Sequence, residues 1–95
     1  MQKFEWDPDK AASNLAKHGI SFEVAARVFA DVFALTVHDR IVKGERRWQT
    51  MGVIDGFLVV LVAHTVSEGD GESEVIRIIS ARKADSKERK RYENR

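Results

Sequence analysis

The chain has 95 residues and a mass of 10.8 kDa, enough for one packed core and too short for two. Apolar residues make up 43% and cysteine is absent, which excludes disorder as the main state, a disulfide framework, thiolate metal ligation and a cysteine nucleophile. The formal charge is only +1, from 16 basic and 15 acidic residues. The longest strongly apolar stretch, residues 56–63, falls far short of the roughly 20 residues that a membrane-crossing helix needs. The charged N-terminus leads into no signal-peptide segment. These features predict a single domain over residues 1–95, located in the cytoplasm and making no membrane contact.

In chain order, residues 3–6 alternate polar and bulky side chains, the mark of a short strand. Asp7-Pro8 then reads as a helix start, because Asp caps free N–H groups and Pro fits the first helical position. Ala11, Ala12, Leu15 and Ala16 form the apolar stripe of this helix, and Gly19 supplies its left-handed stop after residues 8–18. Ser21 is placed to cap a second helix with Phe22, Ala25, Ala26 and Phe29 on one face. Residues 34–39, 46–54, 57–66 and 74–81 are rich in Val, Ile, Thr and aromatics and read as strands. Asp55-Gly56 signals a two-residue type I′ hairpin. If Ile54 then pairs with Phe57, Trp48 lies opposite Ala63 and Arg47 opposite His64. Residues 57–66 are apolar on both alternating sets, as in a central strand. Residues 67–73 form a polar return, and Asp85 with Glu88 resembles a capping box that opens a third helix to about residue 94. The predicted fold class is α+β: a short N-terminal strand, two helices, a four-stranded antiparallel meander and a C-terminal helix. That last helix carries little apolar surface beyond Ala84 and Tyr92, so it is expected to dock weakly.

Charge is unevenly spread. Glu68, Asp70, Glu72 and Glu74 make one acidic segment, whereas residues 77–95 hold eight basic residues, Arg95 included, against three acidic ones. Local basic patches attract phosphates whatever the net charge. The histidines His18, His38 and His64 lack metal-ligand spacing, and no HExxH, GxSxG or Walker motif is present. The remaining cationic and aromatic residues suit phosphodiester chemistry. Cleaving RNA through its own 2′-hydroxyl needs a base, an acid and fixed positive charge around the phosphorane. Arg47, Arg77, Arg82 and Lys83 are candidates for the charge, His18, His64 or a lysine for proton transfer, and Trp6, Trp48 or Tyr92 for stacking on a base. The competing roles are structural: His18 at a helix C-terminus favoured by the dipole, the tryptophans in the core, and Arg47 and Arg77 paired with Glu45 or Glu74.

Five patterns, in order along nearly the whole chain, resemble the BrnT family of ribonuclease toxins, part of the RelE-like superfamily of bacterial type II toxin-antitoxin pairs. They are Phe4-Glu5-Trp6-Asp7 with Lys10 and Asn14; Lys17-His18-Gly19-Ile20-Ser21-Phe22 with Glu23 and Ala25; Gly44-Glu45-Arg46-Arg47 with Gly52; residues 77–84, Arg-Ile-Ile-Ser-Ala-Arg-Lys-Ala; and Glu88-Arg89 with Tyr92-Glu93. The resemblance implies a RelE-like fold and a metal-independent endoribonuclease that needs no cofactor, cleaves RNA and inhibits translation and growth. It implies a cognate antitoxin, a small DNA-binding protein through which alone the toxin reaches operator DNA. On that reading Arg47 and Arg77 stabilise phosphate charge, with His18 or Lys17 assisting. Arg82, Lys83, Trp48 and Tyr92 contact RNA, while Lys87, Arg89, Lys90 and Arg91 face an acidic antitoxin segment. The chain departs from the family pattern in its long acidic return over residues 66–74 and in Asp85, where Thr or Ser often caps the last helix. The alternative function is a non-catalytic partner-binding module within an autorepressing protein–DNA complex.

Overall fold

The computed structural model describes residues 2–94; Met1, and Arg95 of the basic C-terminal segment, lie outside the described residues. Five strands, β1 (Gln2–Glu5), β2 (Leu35–Val42), β3 (Glu45–Ile54), β4 (Leu58–Glu68) and β5 (Glu74–Lys83), form one sheet in the order β1-β5-β4-β3-β2. The meander β2 to β5 is antiparallel as predicted, and β1 joins it parallel to β5, pairing Gln2 with Glu74 through Glu5 with Arg77. None of the helices is long and apolar enough to cross a membrane among the described residues.

Helix α1 (Pro8–His18) starts and stops where its caps dictate. Asp7 accepts the N–H of Asp9 at 2.8 Å, and Gly19 adopts the left-handed conformation at φ +71°. The second helix differs from the amphipathic helix expected from its stripe. Capped by Ser21, it runs as α2 (Phe22–Ala25) for one turn and tightens into a 3-10 helix over Ala26–Ala30. The cause is close packing on β3, where a Cβ on Gly52 would stand 2.9 Å from both Cγ1 and the carbonyl oxygen of Val28.

These helices cover one face of the sheet. Ile20, Phe22, Ala25 and Val28 pack there on Ile54, Val60, Val62, Ile76, Ile78 and Ala81. Helix α1, 11 residues and roughly 16 Å long, lies where the sheet edge is bare, and a buried amide completes its attachment. Strand β1 covers the outer edge of β5 only as far as Arg77. Farther along, the Asn14 amide takes over: Nδ2 donates to the carbonyls of Ala81 (2.9 Å) and Ile20 (3.1 Å), and Oδ1 accepts the N–H of Ala81 (3.0 Å).

The opposite face carries a smaller apolar cluster, Met51, Val59 and Leu61, packed against Leu35, Ala84 and Tyr92. Tyr92 belongs to α3 (Ser86–Glu93), which opens with the predicted capping box: Asp85 accepts from Glu88 N, and the Glu88 carboxylate accepts from Asp85 N. The helix buries no residue fully, but it is tied down by more than its two apolar groups. Glu88 accepts two hydrogen bonds from Arg82, at 2.7 and 2.9 Å, and the Tyr92 hydroxyl donates to Asp31. Asp31 also accepts the N–H groups of Val53 and Phe33, so it joins α3, the end of β3 and the turn into β2.

The expected register at Asp55-Gly56 is one residue out. Both residues take positive φ and Phe57 N–H bonds back to Ile54 at 3.4 Å, as in a type I′ turn. Pairing, however, resumes at Ile54 with Leu58, leaving Phe57 unpaired and 79% exposed. Trp48 therefore lies opposite His64, not Ala63, and Gln49 opposite Ala63. A two-residue loop with its strands in matched register occurs instead at Lys43-Gly44, between Val42 and Glu45.

Two outcomes follow from the buried polar groups. Asn14→Ala leaves three main-chain groups without their partner and is expected to cost roughly 2–4 kcal/mol, measured by denaturant unfolding. His64 is 2% exposed, accepts or donates at Thr50 Oγ1 (2.7 Å) and meets the Phe29 ring edge-on. Burial lowers its pKa below the ordinary 6.5, against a smaller raising contribution from the Thr65 carbonyl. Unfolding thus takes up a proton below pH 6.5, and stability falls as the pH drops through that range. Thermal midpoints between about pH 7.5 and 5 should show this slope, and His64→Gln should flatten it.

Candidate nucleic-acid interface

Two β-bulges decide which side chains share the open face. In β5 the pairs are Ala63 with Ser80 and His64 with Ile78, so Ile79 is the extra residue; in β2, Asp39 is extra between His38–Trp48 and Arg40–Arg47. Simple alternation would place Arg77 and Arg82 on opposite faces. The bulge at Ile79 restores them to one face, since Thr65 pairs with Arg77 and Leu61 with Arg82.

Three rows then cross the face turned away from α1 and α2. Leu35, Met51, Leu61 and Arg82 lie under α3. Val37, Gln49, Ala63 and Ser80 come next, with the short side chains of Ala63 and Ser80 leaving an open floor. The third row is charged. Arg40 pairs with Arg47, Thr65 with Arg77 and Arg77 with Glu5, and continuing the β3–β4 register by one residue brings Arg47 level with Thr65. Arg47 and Arg77 are thereby two strands apart, roughly 10 Å between Cα atoms, within joint reach of one phosphate.

Arginines directly across a ladder repel, and the expected neutralising partners are missing. Among the described residues neither Arg47 nor Arg77 makes an ion pair, and Arg47 Nε is buried without a hydrogen-bond partner. Arg82 differs. Its guanidinium is engaged by Glu88, whose hydrogen bonds raise the arginine pKa while the same contact holds the Glu88 carboxyl below its usual range. Arg82 therefore fixes α3 as one wall of the cleft, beside Tyr92.

Other predicted site residues fall elsewhere. Trp48 is on the helix-covered face, edge-on to His38 at 5.4 Å with the Arg46 guanidinium 5.9 Å from its ring centre. Lys83, opposite Val60, shares that face. His64 is also on it, so the expected juxtaposition of Arg47 with His64 does not occur. Lys17 and His18 lie at the β5 edge, where with Lys10, Ser13, Asn14, Ile79 and Ser80 they line a groove of about 210 Å³. Ser80 belongs both to this groove and to the floor of the open face. Lys87, Arg89, Lys90 and Arg91 are exposed on α3. No group of three or more metal-ligating side chains assembles among the described residues. Sequence reasoning missed Arg40, Thr65, Gln49, Ser80 and Glu5 as members of this face, because only the true register and the two bulges bring them there.

A family model described as the ribonuclease toxin, BrnT, of type II toxin-antitoxin systems matches residues 6–88. The chain belongs to that family. The BrnT match takes in Arg40, Arg47, Thr65 and Arg77, the α1 groove and the Arg82–Glu88 pair. The crystal structure of the Brucella abortus ribonuclease toxin, BrnT, is similar, with a TM-score of 0.61 at 24% identity over 90% of this chain and 99% of that one. It shows the same α+β fold. No curated protein matches the chain.

The unpaired arginines imply a cost in stability. Arg47→Met keeps the aliphatic length of the side chain while removing a buried unpaired N–H and the repulsion from Arg40. It is expected to stabilise the protein by about 1 kcal/mol, read as a higher midpoint in denaturant unfolding.

Proposed function

We propose that this toxin is an endoribonuclease that cleaves RNA on the open sheet face without a metal ion, and that a cognate antitoxin neutralises it. The observation that supports this reading is the row Arg40–Arg47–Thr65–Arg77: fixed cations on a rigid sheet, of which Arg47 and Arg77 make no ion pair among the described residues, beside an open floor. Arg40 and Arg47 facing each other across the ladder disfavour the fold, whereas a phosphodiester passing through a dianionic phosphorane needs such charge preorganised around it.

In the proposed reaction the substrate's 2′-hydroxyl oxygen attacks the adjacent phosphorus and loses its proton to a base. The bond to the 5′-oxygen breaks, that oxygen takes up a proton, and a 2′,3′-cyclic phosphate remains. Arg47 and Arg77 hold the charge that develops on the non-bridging oxygens. Glu5, opposite Arg77 on β1, is the group in the row assigned to proton transfer, with His18 of the neighbouring α1 groove, beside Ser80, as the second. Tyr92, on the α3 wall and packed on Met51 and Leu61 of the row next to the floor, is the aromatic assigned to base contact, while Arg82 acts by holding that wall in place. Trp48 and Lys83, on the reverse face, meet only RNA that passes beyond the cleft. The exposed Lys87, Arg89, Lys90 and Arg91 present a basic helix to an acidic antitoxin segment, and such charge-rich association is fast and salt-sensitive. Operator DNA is reached through the antitoxin.

Arg47→Ala and Arg77→Ala should each lower RNA cleavage in the presence of EDTA by roughly 10²-fold or more, with unchanged circular dichroism. RNA bound but not cut by the wild-type protein would favour a non-catalytic binding module, and full activity in both variants would remove these arginines from the mechanism.

A further inference from the structure

The groove between α1 and β5 is separate from the arginine row, and its composition has a definite chemistry. Its lining offers two ammonium groups, Lys10 and Lys17, the imidazole of His18 and the hydroxyls of Ser13 and Ser80, with no carboxylate. The spacing of 10, 13/14 and 17 puts these side chains on one helix face. Lys17 and His18 would be explained by the helix dipole alone, since cations are favoured in a last turn. Lys10, in the first half of the helix, has no such reason to be there.

The floor of the groove is rigid. Asn14 spends its amide on Ala81 and Ile20, so α1 cannot slide along the strand. Beside it, the outer edge of β5, away from β4, has no strand paired to it between Arg77, where β1 ends, and Ala81 among the described residues, and the Ile79 bulge interrupts the β4–β5 ladder there. Bulges of this kind re-aim side chains next to functional sites. Ser80 is exposed at the junction, reaching the groove while its ladder position belongs to the open face.

We propose that this groove is a phosphate-binding subsite that grips the RNA backbone at a phosphate neighbouring the one held by Arg47 and Arg77, with Lys10 and Lys17 supplying the charge and Ser13 and Ser80 the neutral donors. The identity of the ligand as RNA rests on the ribonuclease reading above. A strand crossing the sheet face leaves it over Ser80, so the groove sets the direction in which the substrate runs. Contacts of this kind add affinity irrespective of base sequence.

The test uses the full chain and a 2′-O-methylated single-stranded RNA oligonucleotide, which binds but lacks the attacking hydroxyl. Lys10→Ala and Lys17→Ala should each weaken binding equally for oligonucleotides of different sequence and reduce the slope of log affinity against log salt by about 0.7, the share of one phosphate contact on a single strand. Arg46→Gln, which removes one charge from the exposed reverse face of the sheet, should leave the slope as it is. Unchanged affinity and slope in both groove variants would overturn the subsite. So would a response of the groove to inorganic phosphate alone, with oligonucleotide affinity unaltered, since the groove would then hold a free anion and not the RNA backbone. If the wild-type protein binds the analogue in this lysine-dependent way yet cleaves no unmodified RNA, the ribonuclease reading fails and the subsite stands.

Discussion

One side chain joins the two halves of this protein. Strand β1 is too short to cover the edge of β5, and α1 must lie along a strand whose outer hydrogen-bonding groups would otherwise meet nothing. Asn14 resolves both problems with a single amide, which gives and takes hydrogen bonds with the main chain of Ala81 much as a neighbouring strand would, and holds Ile20 as well. Buried main-chain groups are costly when unpaired, so this amide specifies where α1 sits to within a hydrogen bond. The α1 groove, the free stretch of β5 and the bulge at Ile79 are all defined relative to it.

Stability is distributed unequally between the two faces of the sheet. The helix-covered face holds the larger core, down to a histidine kept neutral by burial. The other is packed only beneath α3, and its outer row carries Arg40, Arg47 and Arg77, with Arg47 Nε buried and unsatisfied among the described residues. Proteins retain such costs at functional sites, where the ligand supplies what the fold leaves out. α3 itself is held by specific polar contacts more than by burial: the bidentate pair of Arg82 with Glu88 and the Tyr92 hydroxyl on Asp31 replace the apolar stripe that the helix lacks.

Much of this architecture was legible in the order of residues because it is governed locally. Asp7-Pro8, Gly19, Ser21 and the Asp85–Glu88 box act over three or four residues, and the structure has each cap where the sequence placed it. Strand identity followed from composition and alternation. The conversion of the second helix to a 3-10 turn was not legible, because it follows from the close approach of Val28 to Gly52, 24 positions away in sequence. The same holds for the docking of α3, since its partners Asp31 and Met51 are remote along the chain.

The sequence by itself determined the strands, the first and third helices and the helix caps, which depend on interactions over a few residues, and enough local pattern to indicate the BrnT family. Tertiary structure alone decided which residues meet. Strand side chains alternate with period two, so a one-residue slip at Asp55-Gly56 exchanges faces and separates Arg47 from His64, while the Ile79 bulge returns Arg77 to the face of Ser80 and Arg82. Parity errors of this kind are invisible to composition and decisive for a site, because a cation on the wrong face of a sheet is screened from its substrate by the sheet itself.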